Sequence, residues 1–121
     1  MILFLTKDLM IQSAVSSVAR ERGIKFKATT KPPRLADLAT GADVFLIDLQ
    51  LPGMKISELL QVLSGIENRP STIAFAQHVN VDLLESAESE FIDQVMTRGQ
   101  FNKSIPNIVA AVEQPEESTE K

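Results

Sequence analysis

The 121-residue sequence contains no cysteine and a single histidine, His78. The first absence excludes disulfides, thiolate nucleophiles and cysteine-ligated metal; the second excludes a multi-histidine metal centre within the chain. There is no excess of positive charge either. The formal net charge is −4, and Lys and Arg read as scattered rather than striped, so direct nucleic-acid binding is not expected. Apolar runs fall far short of the roughly 20 residues that a spanning helix requires. The amino terminus lacks the basic region and small-residue cleavage site of a signal peptide, so no membrane association and a cytoplasmic location are expected. What remains is chemistry on carboxylates, hydroxyls, lysine and arginine, or binding without chemistry.

The 44% hydrophobic content supports one folded domain. It is placed at residues 1–113. From Gln114 the composition changes to Pro-Glu-Glu-Ser-Thr-Glu-Lys, so 114–121 is expected to be a disordered acidic tail or the start of a linker. The chain is organised around Val44-Phe45-Leu46-Ile47-Asp48-Leu49-Gln50-Leu51-Pro52-Gly53. Four consecutive apolar residues cannot alternate between core and solvent, so they predict a strand covered on both faces, as in a parallel sheet. Asp48 closes it. Leu-Pro-Gly supplies turn chemistry, and Ile56, Leu59, Leu60 and Leu63 follow at helical spacing.

Ile2-Leu3-Phe4-Leu5 is a second buried strand. After it Asp8 can cap a helix whose inner face is Met10, Ile11, Ala14, Val15, Val18 and Ala19. Ile24 to Ala28 alternates as an edge strand guarded by lysines. A short helix over 34–40 uses Leu35, Leu38 and Ala39. Thr72 to Ala76 is a fourth strand; Asn80 can cap a helix carrying Val81, Leu84, Ala87 and Phe91. Ile92 to Met96 gives a weaker fifth strand, and Ser104 and Pro106 are expected to open the last helix. Strands thus alternate with helices five times. Right-handed crossovers then predict a flavodoxin-like α/β/α sandwich, (βα)5, with a five-stranded parallel sheet of order 2-1-3-4-5. Its switch point lies at the carboxyl ends of strands one and three, where Thr6, Lys7 and Asp48 gather.

On Asp48-Leu49-Gln50-Leu51-Pro52-Gly53-Met54 and Ser57-Glu58-Leu59-Leu60, with Phe75-Ala76-Gln77-His78 and Met96-Thr97-Arg98, the chain resembles the receiver domains of two-component response regulators. The resemblance spans Ile2 to about Val112 and places Asp48 at the family's phosphoacceptor. It also exposes departures. The acidic pair that holds Mg²⁺ in the family corresponds here to Thr6 and Lys7, a poor donor set for a hard cation that wants oxygen ligands. Ala76 stands where a phosphoryl-binding hydroxyl is usual, Val95 where the switch aromatic is usual, and Arg98-Gly99 replaces Lys-Pro.

These departures imply an atypical receiver, or pseudo-receiver. It would act as a protein-protein interaction module in two-component-type signalling, not an enzyme, with no catalytic residue, metal or cofactor expected. The alternative is a working receiver that takes phosphate on Asp48 from a histidine kinase, with Mg²⁺ as its cofactor. In the first reading Lys7 replaces the metal by pairing with Asp48, unless Arg98 serves Asp48 instead. The expected partner is a signalling protein or output domain. The expected docking or homodimer face is the fourth helix, fifth strand and fifth helix, with Leu83, Val95, Phe101, Ile108 and Val112 as apolar contributors.

Overall fold

The computed structural model describes residues 1–32, 34–38, 41–89 and 91–113. Its elements alternate as β1 (Ile2–Leu5), α1 (Leu9–Glu21), β2 (Phe26–Thr29), α2 (Arg34–Leu38), β3 (Val44–Asp48), α3 (Ile56–Ser64), β4 (Ser71–Ala76), α4 (Val81–Ala87), β5 (Gln94–Thr97) and α5 (Arg98–Glu113). The five strands form one sheet of order β2-β1-β3-β4-β5, with every neighbouring pair parallel. The flavodoxin-like architecture and strand order expected from the sequence are therefore present. The expected tail at 114–121 lies outside the described residues.

Continuous burial of β1 and β3 follows from helices on both faces. Successive side chains point to opposite faces, so each strand feeds two cores. Ile2, Phe4, Leu46 and Phe75 pack with Ile11, Val15, Phe101 and Val109 on the side of α1 and α5. Leu3, Leu5, Phe45 and Ile47 pack with Leu35, Leu59 and Leu63 on the other. Phe75 and Phe101 stack with ring centroids 4.2 Å apart, and Phe4 meets Phe101 at 5.8 Å.

Several local expectations are corrected. On α1 Ile11, Val15 and Ala19 are buried and Val18 packs partly buried against the same core, as expected, while Met10 is 84% exposed and Ala14 also faces solvent. A helix lying on a sheet buries one narrow stripe, and the spacing of four selects it. α2 is described only as far as Leu38, so the expected Ala39 and Thr40 lie outside the described residues. α4 ends at Ala87, which leaves Phe91 beyond it, and Asn80 occupies the cap position without a side-chain hydrogen bond. β5 starts at Gln94, not Ile92; Ile92 instead makes an isolated antiparallel bridge to Ser89. Asp93 does not interrupt the sheet, because its carboxylate accepts from the Thr72 N–H at 2.8 Å and its own N–H donates to the Thr72 carbonyl at 2.9 Å.

The largest correction concerns α5, which begins at Arg98 and contains Pro106 in its interior. Thr97 and Gln100 start it reciprocally: the Gln100 N–H donates to Thr97 Oγ1 at 3.2 Å, and the Thr97 N–H donates to Gln100 Oε1 at 2.9 Å. That is a capping box, and its Thr-x-x-Gln signature is in the sequence. Proline misled because it is favoured in a first turn.

Candidate functional site

The site is built by register. β1 pairs with β3 from Ile2 opposite Val44 to Leu5 opposite Ile47, so the next residue of each strand brings Thr6 beside Asp48. Both are buried, Thr6 to 1% exposure and Asp48 to 5%. A buried carboxylate needs compensating donors for both oxygens. The Thr6 hydroxyl donates to Asp48 Oδ2 at 2.8 Å, and the Gln50 N–H donates to Asp48 Oδ1 at 3.0 Å in an Asx turn. Thr6 Oγ1 in turn accepts the Asp8 N–H at 3.0 Å. The Gln50 side chain continues the network across to the next loop, where its Oε1 accepts the Gln77 N–H at 2.7 Å.

The second carboxylate is committed elsewhere. Asp8 is the N-cap of α1, with Oδ1 accepting the N–H groups of Met10 at 2.9 Å and Ile11 at 3.3 Å. Its Oδ2 is bound by the Arg98 guanidinium, which reaches over from the first residue of α5. The Arg98 hydrogen bond holds the Asp8 carboxyl below the ordinary aspartate range. The two backbone donors act in the same direction, and partial burial opposes them. The Arg98 guanidinium also lies 6.0 Å from the centre of the Phe75 ring, within cation–π range.

The expected partners of Asp48 are therefore revised. Lys7 is exposed and makes no ion pair with Asp48. Just beyond the end of β1 the chain turns the Thr6 side chain into the crevice and leaves Lys7 in solvent. Arg98 does not serve Asp48 either, since it bonds to Asp8. Ala76 is fully buried in the core on the α3 side, where its methyl contributes apolar packing but no hydroxyl. Val95 and Leu83 are partly buried against that same core, and Val112 against the other. Phe101 and Ile108 belong to the core itself and are withdrawn from the expected interface. Truncating a buried Phe typically costs about 3–5 kcal/mol, so Phe101 serves folding before recognition. His78 is exposed in the loop after β4.

Sequence reasoning did not identify Gln50, nor the pairing of Asp8 with Arg98. The Asx turn was readable from Asp48-Leu49-Gln50, because aspartate bonds to backbone two residues on. The Asp8–Arg98 pairing had no local signal, since 90 residues separate the two.

The chemistry of the donor set does not fit a divalent cation bound as in phosphorylated receivers. Mg²⁺ demands an octahedron of oxygens and usually takes carboxylates plus water. Here the two carboxylates nearest the crevice are directed to a hydroxyl, three backbone amides and a guanidinium. Lys7, exposed and turned out, adds no oxygen donor. Among the described residues, no group of three or more His, Cys, Asp or Glu comes together in a metal-holding cluster.

No family model matches the chain, and no curated protein matches it. Solved structures do. FixJ-N superposes with a TM-score of 0.70 at 14% identity, covering 95% of this chain and 93% of that one. The receiver domain of a sensor histidine kinase from Pseudomonas aeruginosa, solved with a magnesium ion coordinated in its active-site cleft, gives 0.72 at 16%, over 93% and 95% of the two chains. A member of a redox-sensor family in the streptococci, described as evolved from two-component response regulators, gives 0.75 at 12%, over 98% of this chain and 53% of that one. The first class defined is the flavodoxin-like α/β sandwich. Within it, the fold is that of response-regulator receiver domains.

Proposed function

We propose that this chain is a pseudo-receiver: a two-component-type signalling module that works by binding a protein partner, without Mg²⁺-dependent phosphorylation and without turnover of its own. The observation that carries this reading is the closed polar network at the crevice. Both oxygens of Asp48 and both oxygens of Asp8 already have donors. Attack by Asp48 on a phosphoryl group would weaken a buried hydrogen bond and set two anions against each other, and the carboxylates that could hold a cation to offset that repulsion are already engaged. The receiver fold of the neighbouring structures supports the signalling context. In this reading the site stabilises one conformation, and the signal is carried by the surface.

The expected partner is a signalling protein or output domain, docking on α4, β5 and α5. After removal of the two core residues, Leu83, Val95 and Val112 supply the aliphatic part of that face. No helix among the described residues is long and apolar enough to cross a membrane, and the module is proposed to act in the cytoplasm.

The retained carboxylate at the end of β3 favours one second reading, a phospho-accepting receiver that uses Asp48 and Mg²⁺. One assay separates the two. The protein is incubated with Mg²⁺ and acetyl phosphate and then weighed intact, and in parallel titrated with beryllium fluoride under fluorine NMR. The pseudo-receiver gains no phosphoryl mass and shows no bound fluoride signal. Stoichiometric uptake that disappears in Asp48→Asn would overturn it.

A further inference from the structure

Charge is segregated along this chain, and the fold carries the two kinds to opposite ends of the sheet. Residues 20–34 contain six cations and one anion, a net of +5, so the rest of the chain bears −9 within the total of −4. This corrects the reading of Lys and Arg as scattered. β2 is an edge strand, with Lys27 exposed on it and Lys25 exposed just before it. Exposed Arg20 lies at the end of α1 just before it, and exposed Lys31 and Arg34 follow it. Phe26 holds that edge in place by meeting the Phe4 ring edge-on at 6.4 Å, which turns Lys27, the next residue of the strand, to the opposite sheet face.

Beyond the other end of the sheet the sign reverses. Residues 82–93 contain five acids and no base. Asp82 and Glu85 on α4, Glu88 at its C-cap and Asp93 before β5 are all exposed. Four strand spacings of about 4.8 Å place β2 and β5 roughly 19 Å apart. The screening length at physiological ionic strength is about 8 Å, so the poles do not neutralise each other within one molecule.

We infer that the basic β2 edge is a docking surface for the acidic α4 face of a second copy of this chain, in a head-to-tail contact. Charge complementarity selects this occupant, because both surfaces belong to the same sequence and differ in sign. It also selects the geometry. A twofold pairing of α4 faces would set Asp82, Glu85 and Glu88 against their own copies, whereas a heterologous contact sets them against lysines. The contact is weak, reversible and sensitive to salt.

Sedimentation of the full chain tests it. At about 0.01 M ionic strength, where the screening length is about 30 Å, the mean mass rises with concentration above the 13.3 kDa monomer. At about 0.15 M the dissociation constant rises by roughly tenfold or more. Lys25→Glu with Lys27→Glu, and separately Asp82→Lys with Glu85→Lys, each sediment as monomers at low salt. An equimolar mixture of the two variants associates again, because each supplies the sign that the other has lost. All four sites are exposed, and far-UV circular dichroism checks that the variants fold. The wild-type salt titration stands independently of them. Wild type monomeric throughout at low salt, association insensitive to salt, either variant associating alone, or a mixture that stays monomeric would each overturn the inference. A monomer that binds poly-glutamate or an oligonucleotide at this edge would do the same, assigning the surface to another class of partner.

Discussion

Thr6→Val is the sharpest perturbation of the site, because valine keeps the shape of threonine and exchanges only the hydroxyl for a methyl group. Two effects follow at once: Asp48 Oδ2 loses its donor at 2.8 Å, and the Asp8 N–H loses its acceptor at 3.0 Å. The first dominates. A hydrogen bond to a charged group contributes about 1.5–3 kcal/mol, and here the stranded oxygen belongs to a residue that is 5% exposed, so water does not replace the donor freely. A loss of about 2 kcal/mol in urea unfolding is expected, which for a domain of this size lowers the melting temperature by roughly 8 °C. A double-mutant cycle with Asp48→Ala isolates the pair. Removing both partners should cost less than the sum of the single losses, with a coupling of at least about 1 kcal/mol. If Thr6→Val costs under about 0.5 kcal/mol and the cycle is additive, Thr6 is not what compensates Asp48 and the closed-network argument fails.

Lys7→Ala, at an exposed position without an ion pair to Asp48, should change unfolding free energy by no more than about 0.5 kcal/mol; a loss of 3 kcal/mol would restore the buried pair expected from sequence. Asp8 binds Arg98, and its pKa is lowered in the folded state, so its contribution to stability is present above the unfolded aspartate pKa and is lost as pH falls through the lower folded value. Urea midpoints measured down through that acidic window should therefore fall less steeply in Arg98→Ala than in wild type, and an identical slope would count against the pairing. Thr97→Ala removes the side-chain half of the α5 capping box and should cost about 1 kcal/mol by chemical denaturation, whereas an unchanged midpoint would mean that the cap bears no load.

The order of the elements was legible because its signals are local. Short unbroken apolar runs at Ile2–Leu5 and Val44–Ile47, bounded by polar and turn residues, read as strands covered on both faces, and the stretches between them leave room for crossover helices. Boundaries were less legible where two local rules compete. Pro106 resembles the first turn of a helix, yet the cap formed by Thr97 and Gln100 starts α5 eight residues earlier. Side-chain burial was hardest to read near element ends: Met10 has the spacing of a core residue and is exposed, whereas Phe101, expected on a surface, is fully buried and stacks on Phe75.

The sequence by itself determined that Asp48 ends a central strand, that threonine and lysine follow the first strand, and that alanine closes the fourth. Which donors Asp48 receives was decided only by the tertiary structure. Strand register places Thr6 beside it, the turn out of β1 leaves Lys7 in solvent, and the packing of α5 brings Arg98 to Asp8 across 90 residues. Charge type is written locally, but charge pairing depends on which oxygens and nitrogens a fold brings within about 3 Å, and no spacing along a chain encodes that distance.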